Sequence, residues 1–153
     1  MRSSLFALMT VIAVTLASAA ISQTSPVANV VQQRQSQFHE IGVAFKAIND
    51  ELRRENPGRF VLSSSARTIA SNLHQVGTMF PVGSGPAPGL KTKAKPAIWS
   101  GRAQFDRLNA SAVNEANRLV MAMRGTDTNA IRAQIRALGL ACQGCHRQFR
   151  DED

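Results

Sequence analysis

Four stretches of the chain place apolar residues at alternating spacings of three and four, and this pattern constrains the fold more than any other feature. The four stripes begin near Val27, Ile69, Phe105 and Ile131. An α-helix completes a turn in about 3.6 residues, so each stripe indicates a helix that buries one face. The sequence contains no period-two run between hairpin turns, which is the pattern typical of strands. It therefore predicts an all-α fold.

Local signals give approximate boundaries for the first two helices. The first is expected over 27–55, because Asn56-Pro57-Gly58 combines a proline restraint with a glycine suited to a left-handed cap. The second is expected to begin behind an N-cap among Ser63–Ser65 and to end at Pro81.

Residues 81–97 form the one long connection, since they hold four prolines and three glycines. The third helix is expected to follow Ile98-Trp99 and to close at Gly125, and Asp127 or Thr126 is expected to cap the fourth. Two short connections around a longer one predict an antiparallel four-helix bundle, a fold that holds cofactors between facing helices.

The first twenty residues differ from the rest of the chain. Arg2 precedes an apolar run, Leu5 to Leu16, and the small-residue stretch Ala17–Ala20 follows it. This order is typical of a cleaved signal peptide, and the apolar run is shorter than the roughly 20 residues of a membrane anchor. The sequence predicts a leader over residues 1–20 and a single domain over 21–153.

The segment Cys142-Gln143-Gly144-Cys145-His146 is the signature of covalent attachment of a c-type haem. Two thiols three residues apart lie on one face of a helical turn, where they can bond the two vinyl groups of one porphyrin. The imidazole that follows then reaches the iron as an axial ligand. The sequence predicts haem c, held between helices by Cys142 and Cys145 and ligated by His146.

Other uses of the two cysteines remain open at this point. A thioredoxin-like redox pair requires a βαβ context, and a zinc site requires further ligands, for which His39 and His74 are distant in sequence. Two buried structural thiols are also conceivable, whereas a disulfide across so short a loop would add little stability.

The charge of the chain is strongly basic, with a formal net charge of +8. Only Lys91, Lys93 and Lys95 cluster, aromatic residues are few, and no nucleic-acid-binding motif accompanies them. The sequence therefore predicts a solvated basic loop and no nucleic-acid partner.

The sequence resembles the class II c-type cytochromes, and within them cytochrome c prime. The resemblance rests on the C-terminal motif Cys142–Arg150, on Ile98-Trp99 with Phe105-Asp106, and on Arg34-Gln35 in the first helix. Together these pieces span essentially all of residues 27–153.

The resemblance implies one haem, His146 as its proximal ligand, and a homodimer formed through the first two helices. It also implies that Arg34 pairs with a haem propionate and that Arg150 lies near the proximal imidazole. The alternatives are that Arg34 extends to solvent along its stem and that Arg150 is a solvated terminal residue.

The residue one turn after Arg34 faces the distal side of the iron in this class, and here it is Phe38. Phenylalanine has no lone pair to donate, so the resemblance implies a five-coordinate iron in a dry pocket that favours NO and CO. Phe38 could instead be an ordinary core residue, and a register shifted by one residue would place His39 on the distal side of the iron.

Three methionines are expected in the core of the bundle: Met79, Met121 and Met123.

The resemblance therefore implies a periplasmic gas-binding cytochrome with a redox-active iron. The alternative function is a six-coordinate, low-spin cytochrome that passes electrons between membrane and periplasmic redox partners. A catalytic function is the least favoured hypothesis, because Phe38 supplies no acid or base for catalysis.

Overall fold

The computed structural model describes residues 25–152, in which the regular elements are helices. In chain order these are α1 (Pro26–Glu51), α2 (Arg59–Gln75), a 3₁₀ turn (Val76–Thr78), α3 (Ala97–Ser100), α4 (Arg102–Ala122) and α5 (Thr128–Phe149). The four long helices form the predicted four-helix bundle. The predicted leader, residues 1–20, lies outside the described residues. Within residues 25–152, none of the helices combines the length and apolar character that a bilayer span requires.

The ends of α1 follow from its flanking residues. Ser25 is the N-cap, and its Oγ accepts a hydrogen bond from the backbone N of Ala28 at 3.2 Å, while Pro26 occupies the first turn. The helix ends at Glu51, so the predicted end at residue 55 is too late. Glu51 Oε1 instead accepts a hydrogen bond from the backbone N of Gly58 at 2.6 Å, which closes the connection to α2.

The prediction that α2 begins behind Ser63–Ser65 is wrong, since the helix begins at Arg59. The hydroxyls of Ser63 and Ser64 donate to the carbonyls of Arg59 and Phe60 at 2.7 and 2.8 Å, inside the helix. Serine hydroxyls can satisfy carbonyls one turn earlier as well as cap a helix, so the serine run alone did not fix the start. The helix also ends earlier than Pro81, at Gln75.

The start of α5 follows the prediction that Asp127 or Thr126 caps it, with Asp127 as the N-cap. The carboxylate of Asp127 accepts hydrogen bonds from the backbone N of Asn129 at 2.8 Å and of Ala130 at 3.2 Å. These bonds satisfy two of the donors that a helix leaves free in its first turn.

The long helices pack in the order α1, α2, α4, α5 around one core. Its fully buried members include Ile48, Ile69, Leu119 and Leu138. Helices α1 and α5 meet near the C-terminal end of α1, where Arg132 Nη2 donates to the Leu52 carbonyl at 2.5 Å. Gly139 lies against the Phe45 ring, because a Cβ at position 139 would be 3.3 Å from Phe45 Cζ. The ring of helices is closed at this end.

The core accounts for much of the stability, and a matched pair of leucines tests this. Leu119 is 0% exposed on α4, and Leu140 is 68% exposed on α5. We expect Leu119→Ala to lower the free energy of unfolding by about 2–5 kcal/mol, through lost burial and the cavity it leaves. Leu140→Ala should change it by less than about 0.5 kcal/mol. Denaturant unfolding measures both values, and equal losses would contradict this packing.

Candidate functional site

The N-terminal half of α1 faces the C-terminal half of α5, because the two helices run antiparallel and meet at Leu52 and Arg132. Phe38 of α1 and His146 of α5 lie opposite each other, with ring centroids 6.5 Å apart and an edge-to-face arrangement. Cys142 and Cys145 lie four residues and one residue before His146 and are half-buried against the core. The structure thus brings together the predicted attachment residues, the predicted ligand and the predicted distal residue.

The two cysteines are free thiols, each with a raised pKa. Burial raises the pKa of the Cys142 thiol. Burial, with a smaller contribution from Cys142, raises the pKa of Cys145 to about 11. A thioredoxin-like pair works through a thiol whose pKa is lowered, so this environment does not favour a redox pair. Among the described residues, no three His, Cys, Asp or Glu side chains form a group that could hold a metal ion.

His146 lies in an environment that favours the neutral imidazole. Much of the side chain is exposed, yet partial burial lowers its pKa, and the positive charge of Arg150 lowers it further. A neutral imidazole has the free lone pair that a metal ligand needs. Both effects therefore favour the neutral ring over the charged one.

Arg150 follows directly after α5 and is exposed. Its backbone N donates to the His146 carbonyl at 2.9 Å, and its backbone pairs with Ala94 in an isolated antiparallel bridge. Its charge acts on His146, which agrees with its expected position near the imidazole. Its role toward a bound cofactor stays a prediction.

Arg34 is 3% exposed, so the alternative of a side chain that extends to solvent is wrong. Nη1 donates to the Met79 carbonyl at 3.3 Å and to Ser84 Oγ at 3.2 Å. Nη2 donates to the Ser84 carbonyl at 3.1 Å and to Thr92 Oγ1 at 2.8 Å. These four acceptors are neutral, and burial lowers the pKa of the guanidinium, which remains charged in proteins. The propionate contact of Arg34 stays a prediction.

Phe80 is a residue of the site that the sequence pattern does not single out. Its ring lies 4.4 Å from Arg34 Cζ and 6.4 Å, between centroids, from Phe38. It also makes edge-to-face contacts with Trp99 and Phe105. Phe80 therefore connects the buried cation to the ring that faces His146. Phe80 continues the apolar stripe that begins at Ile69, and such a stripe indicates core residues in general.

The other ligands considered from the sequence lie elsewhere. His39 lines an outer groove between α1 and α2 together with Glu40, Ser64 and other residues. His74 is exposed and contacts Asn117 Oδ1 at 3.3 Å through Nε2. The one-residue register shift that would bring His39 to the distal position is thus wrong. Two of the three methionines, Met79 and Met123, are buried as predicted, whereas Met121 is 54% exposed and lies outside the core.

The residues present fit a haem c. Cys142 and Cys145 offer two thiols on one face of a helix, and His146 would be the axial ligand. Phe38 and Phe80 supply an apolar wall, and Arg34 supplies a buried cation with neutral partners. A buried charge of this kind is stabilised by an anionic group beside it, and the propionates of a haem are such groups.

Comparison with known proteins shows the family to which the chain belongs. A sequence model of the family described as Cytochrome C' matches residues 29–150. Cytochrome c' of Rhodospirillum rubrum is 30% identical over 135 residues, which are 88% of this chain and 90% of the relative.

The crystal structure of cytochrome c' from Rubrivivax gelatinosus matches with a TM-score of 0.74 and 26% identity, covering 84% of this chain and all of that one. A nitric oxide complex of the L16A mutant of cytochrome c prime from Alcaligenes xylosoxidans shares the fold, with a TM-score of 0.75 and 19% identity, over 86% of this chain and all of that one. The bundle, its cysteine pair and these matches agree, and the chain belongs to the cytochrome c' family, whose members bind haem c.

Proposed function

We propose that this chain carries one haem c, attached through thioether bonds at Cys142 and Cys145 and ligated by His146, with no protein ligand on the opposite side. The observation that carries the proposal is the position of Phe38, whose ring faces the His146 ring at 6.5 Å. A side chain without a lone pair therefore occupies the place from which α1 could reach the iron.

When bound, a haem c supplies an iron that exchanges an electron and can bind a small gas at a free axial position. The chain's own residues prepare this chemistry. The lowered pKa of His146 keeps its imidazole neutral, and Phe38 with Phe80 keeps the facing side apolar. Arg34 adds a buried positive charge for the propionates. We infer a dry distal side that admits neutral diatomic gases and disfavours anions.

Binding of NO and CO is the function that this arrangement supports best. The fold neighbour solved as a nitric oxide complex supports it as an example of a protein of this fold with that ligand. The second candidate is a six-coordinate, low-spin electron-transfer cytochrome, which needs a second ligand from the protein. His39 and His74 lie away from His146, and Phe38 occupies the facing position, so the five-coordinate form is favoured.

Catalysis as a dedicated enzyme is not part of the proposal. General acid–base chemistry requires a titratable group within hydrogen-bond reach of the reacting atoms. The α1 side chain that faces His146 is a phenylalanine, which has no exchangeable proton. We therefore propose a gas-binding and redox protein.

The cellular setting follows from the leader and the family resemblance. Export through residues 1–20 would deliver the chain to the periplasm, where membrane or periplasmic redox partners could reduce the iron. We also propose a homodimer formed through α1 and α2. Apolar side chains at the surface of these helices support it, since Val43 is 55% exposed and Phe60 is 81% exposed.

Titration of the reduced protein with CO tests gas binding. Because Phe38 provides no competing ligand, we expect one CO to bind per chain, with a matching change in the haem absorption spectrum. The same titration after oxidation should show no CO binding, which serves as the control. A reduced spectrum that saturating CO leaves unchanged would favour the six-coordinate electron carrier instead.

A further inference from the structure

The side chain of Arg34 forms hydrogen bonds to the beginning and to the far part of the long connection between α2 and α3. Three of its hydrogen bonds go to Met79 and Ser84, at the start of this connection. The fourth and shortest, at 2.8 Å, goes to Thr92 Oγ1, which lies eight residues further along the chain than Ser84. Gln35 adds a neighbouring bond, from Nε2 to the Lys91 carbonyl at 2.7 Å. Helix α1 therefore holds both the beginning and the far part of the connection.

The Thr92 hydroxyl accepts a second hydrogen bond from its own segment. The backbone N of Ala94 donates to Thr92 Oγ1 at 3.2 Å. A hydroxyl oxygen has two lone pairs, so Arg34 and Ala94 use its whole capacity as an acceptor. The bond to the guanidinium involves a charged donor and belongs to the stronger class of hydrogen bonds. Thr92 thus fixes the backbone at the point where the next segment begins.

That next segment, residues 93–95, pairs with the end of α5. The backbone N of Lys95 donates to the Phe149 carbonyl at 3.0 Å, and the backbone N of Asp151 donates to the Lys93 carbonyl at 2.8 Å. Ala94 and Arg150 form the antiparallel bridge between these two bonds. The bridge is one turn beyond His146, whose carbonyl accepts from the Arg150 backbone N at 2.9 Å. The contacts are continuous from Arg34 to the last turn of α5.

We propose that Thr92 is a positioning residue that couples the helix carrying Phe38 to the helix carrying His146. Its hydroxyl ties the Arg34 guanidinium to the bridge between segments 93–95 and 149–151. The bridge in turn sets where the last turn of α5 lies relative to α1. The effect on the haem rests on the proposed function, in which His146 is the axial ligand. The coupling between the two helices rests on the hydrogen bonds alone.

Three variants test the coupling. Thr92→Val keeps the shape of the side chain and removes the hydroxyl, whereas Thr92→Ser keeps the hydroxyl. Thr78→Val is the matched control, because the Thr78 hydroxyl donates to the Gln75 carbonyl at the end of α2.

Amide hydrogen exchange of Lys95 and Asp151 reports the bridge. We expect Thr92→Val to speed both rates by about tenfold or more, from loss of a hydrogen bond to a charged group. Thr92→Ser and Thr78→Val should leave them near the wild-type values.

A second readout separates positioning from simple stabilisation. In the haem-loaded protein, Thr92→Val should change the rhombicity of the ferric EPR signal, because the orientation of the His146 imidazole changes. Thr92→Ser should restore it. Unchanged exchange rates in Thr92→Val would overturn the inference, and so would an unchanged EPR signal. Failure of Thr92→Ser to restore the wild-type values would also overturn it.

Exchange in the wild-type chain provides a test that needs no variant. The Ala94 amide, bonded to Thr92 Oγ1, should be protected to a degree similar to that of Lys95. An unprotected Ala94 amide would overturn the coupling. If the wild-type chain carries no haem, the proposed function fails, while the exchange rates still decide whether Thr92 holds the bridge.

Discussion

Replacement of Cys142 and Cys145 together by alanine is expected to abolish covalent haem attachment. The two half-buried thiols lie on the inward face of α5, and in the proposal each forms one thioether bond. Without them no bond joins the porphyrin to the chain. Haem staining after denaturing electrophoresis measures the attached fraction, which should fall from nearly complete in the wild type to background in the double variant.

A control within the same motif separates attachment from disturbance of the helix. A Cβ at Gly144 would meet no atom within 4 Å, so Gly144→Ala can be accommodated between the two cysteines. We expect this variant to retain its haem through denaturation. Haem that remained covalently bound in the double-alanine variant would contradict the assignment of both cysteines.

Replacement of Phe38 by methionine is expected to convert the iron from five to six coordination. Phe38 faces the His146 ring, and methionine places a thioether sulfur with lone pairs at the same position of α1. Methionine and histidine together are the axial ligands of many electron-transfer cytochromes c. The ferric EPR spectrum should change from high-spin to low-spin, and CO binding to the reduced form should weaken strongly.

Leucine at the same position provides the control for this change. Phe38→Leu removes the ring without adding a donor atom, so its ferric spectrum should remain high-spin. Its smaller side chain should also admit CO faster than the wild type. A high-spin Phe38→Met protein would show that position 38 does not reach the iron, and the assignment of Phe38 as the distal residue would be wrong.

Much of the fold could be predicted from the sequence because its signals are local. The apolar stripes predict four helices, and the carboxylate of Asp127 caps α5 through bonds to residues two and three positions later. The start of α2 was predicted wrongly for an equally local reason. The hydroxyls of Ser63 and Ser64 bond to carbonyls of the preceding turn instead of capping the helix.

Some features of the candidate site depend on residues close together in the sequence, and others depend on residues far apart. The spacing of Cys142, Cys145 and His146 determines which of them share a helix face, so the sequence alone is enough to predict their role. The environment of Arg34 depends on Ser84 and Thr92, which lie 50 and 58 residues away. No periodicity or motif connects residues at such distances. The buried guanidinium and the hydrogen bonds that lead from it towards α5 could therefore be found only in the folded chain.

The central claim is that Phe38 faces a haem iron that His146 alone ligates from the protein. The ferric EPR spectrum of the wild-type protein at neutral pH tests it most directly. We predict a high-spin signal, because the side chain opposite His146 has no lone pair to donate. A purely low-spin signal, with the features of a methionine or a second histidine ligand, would contradict the claim.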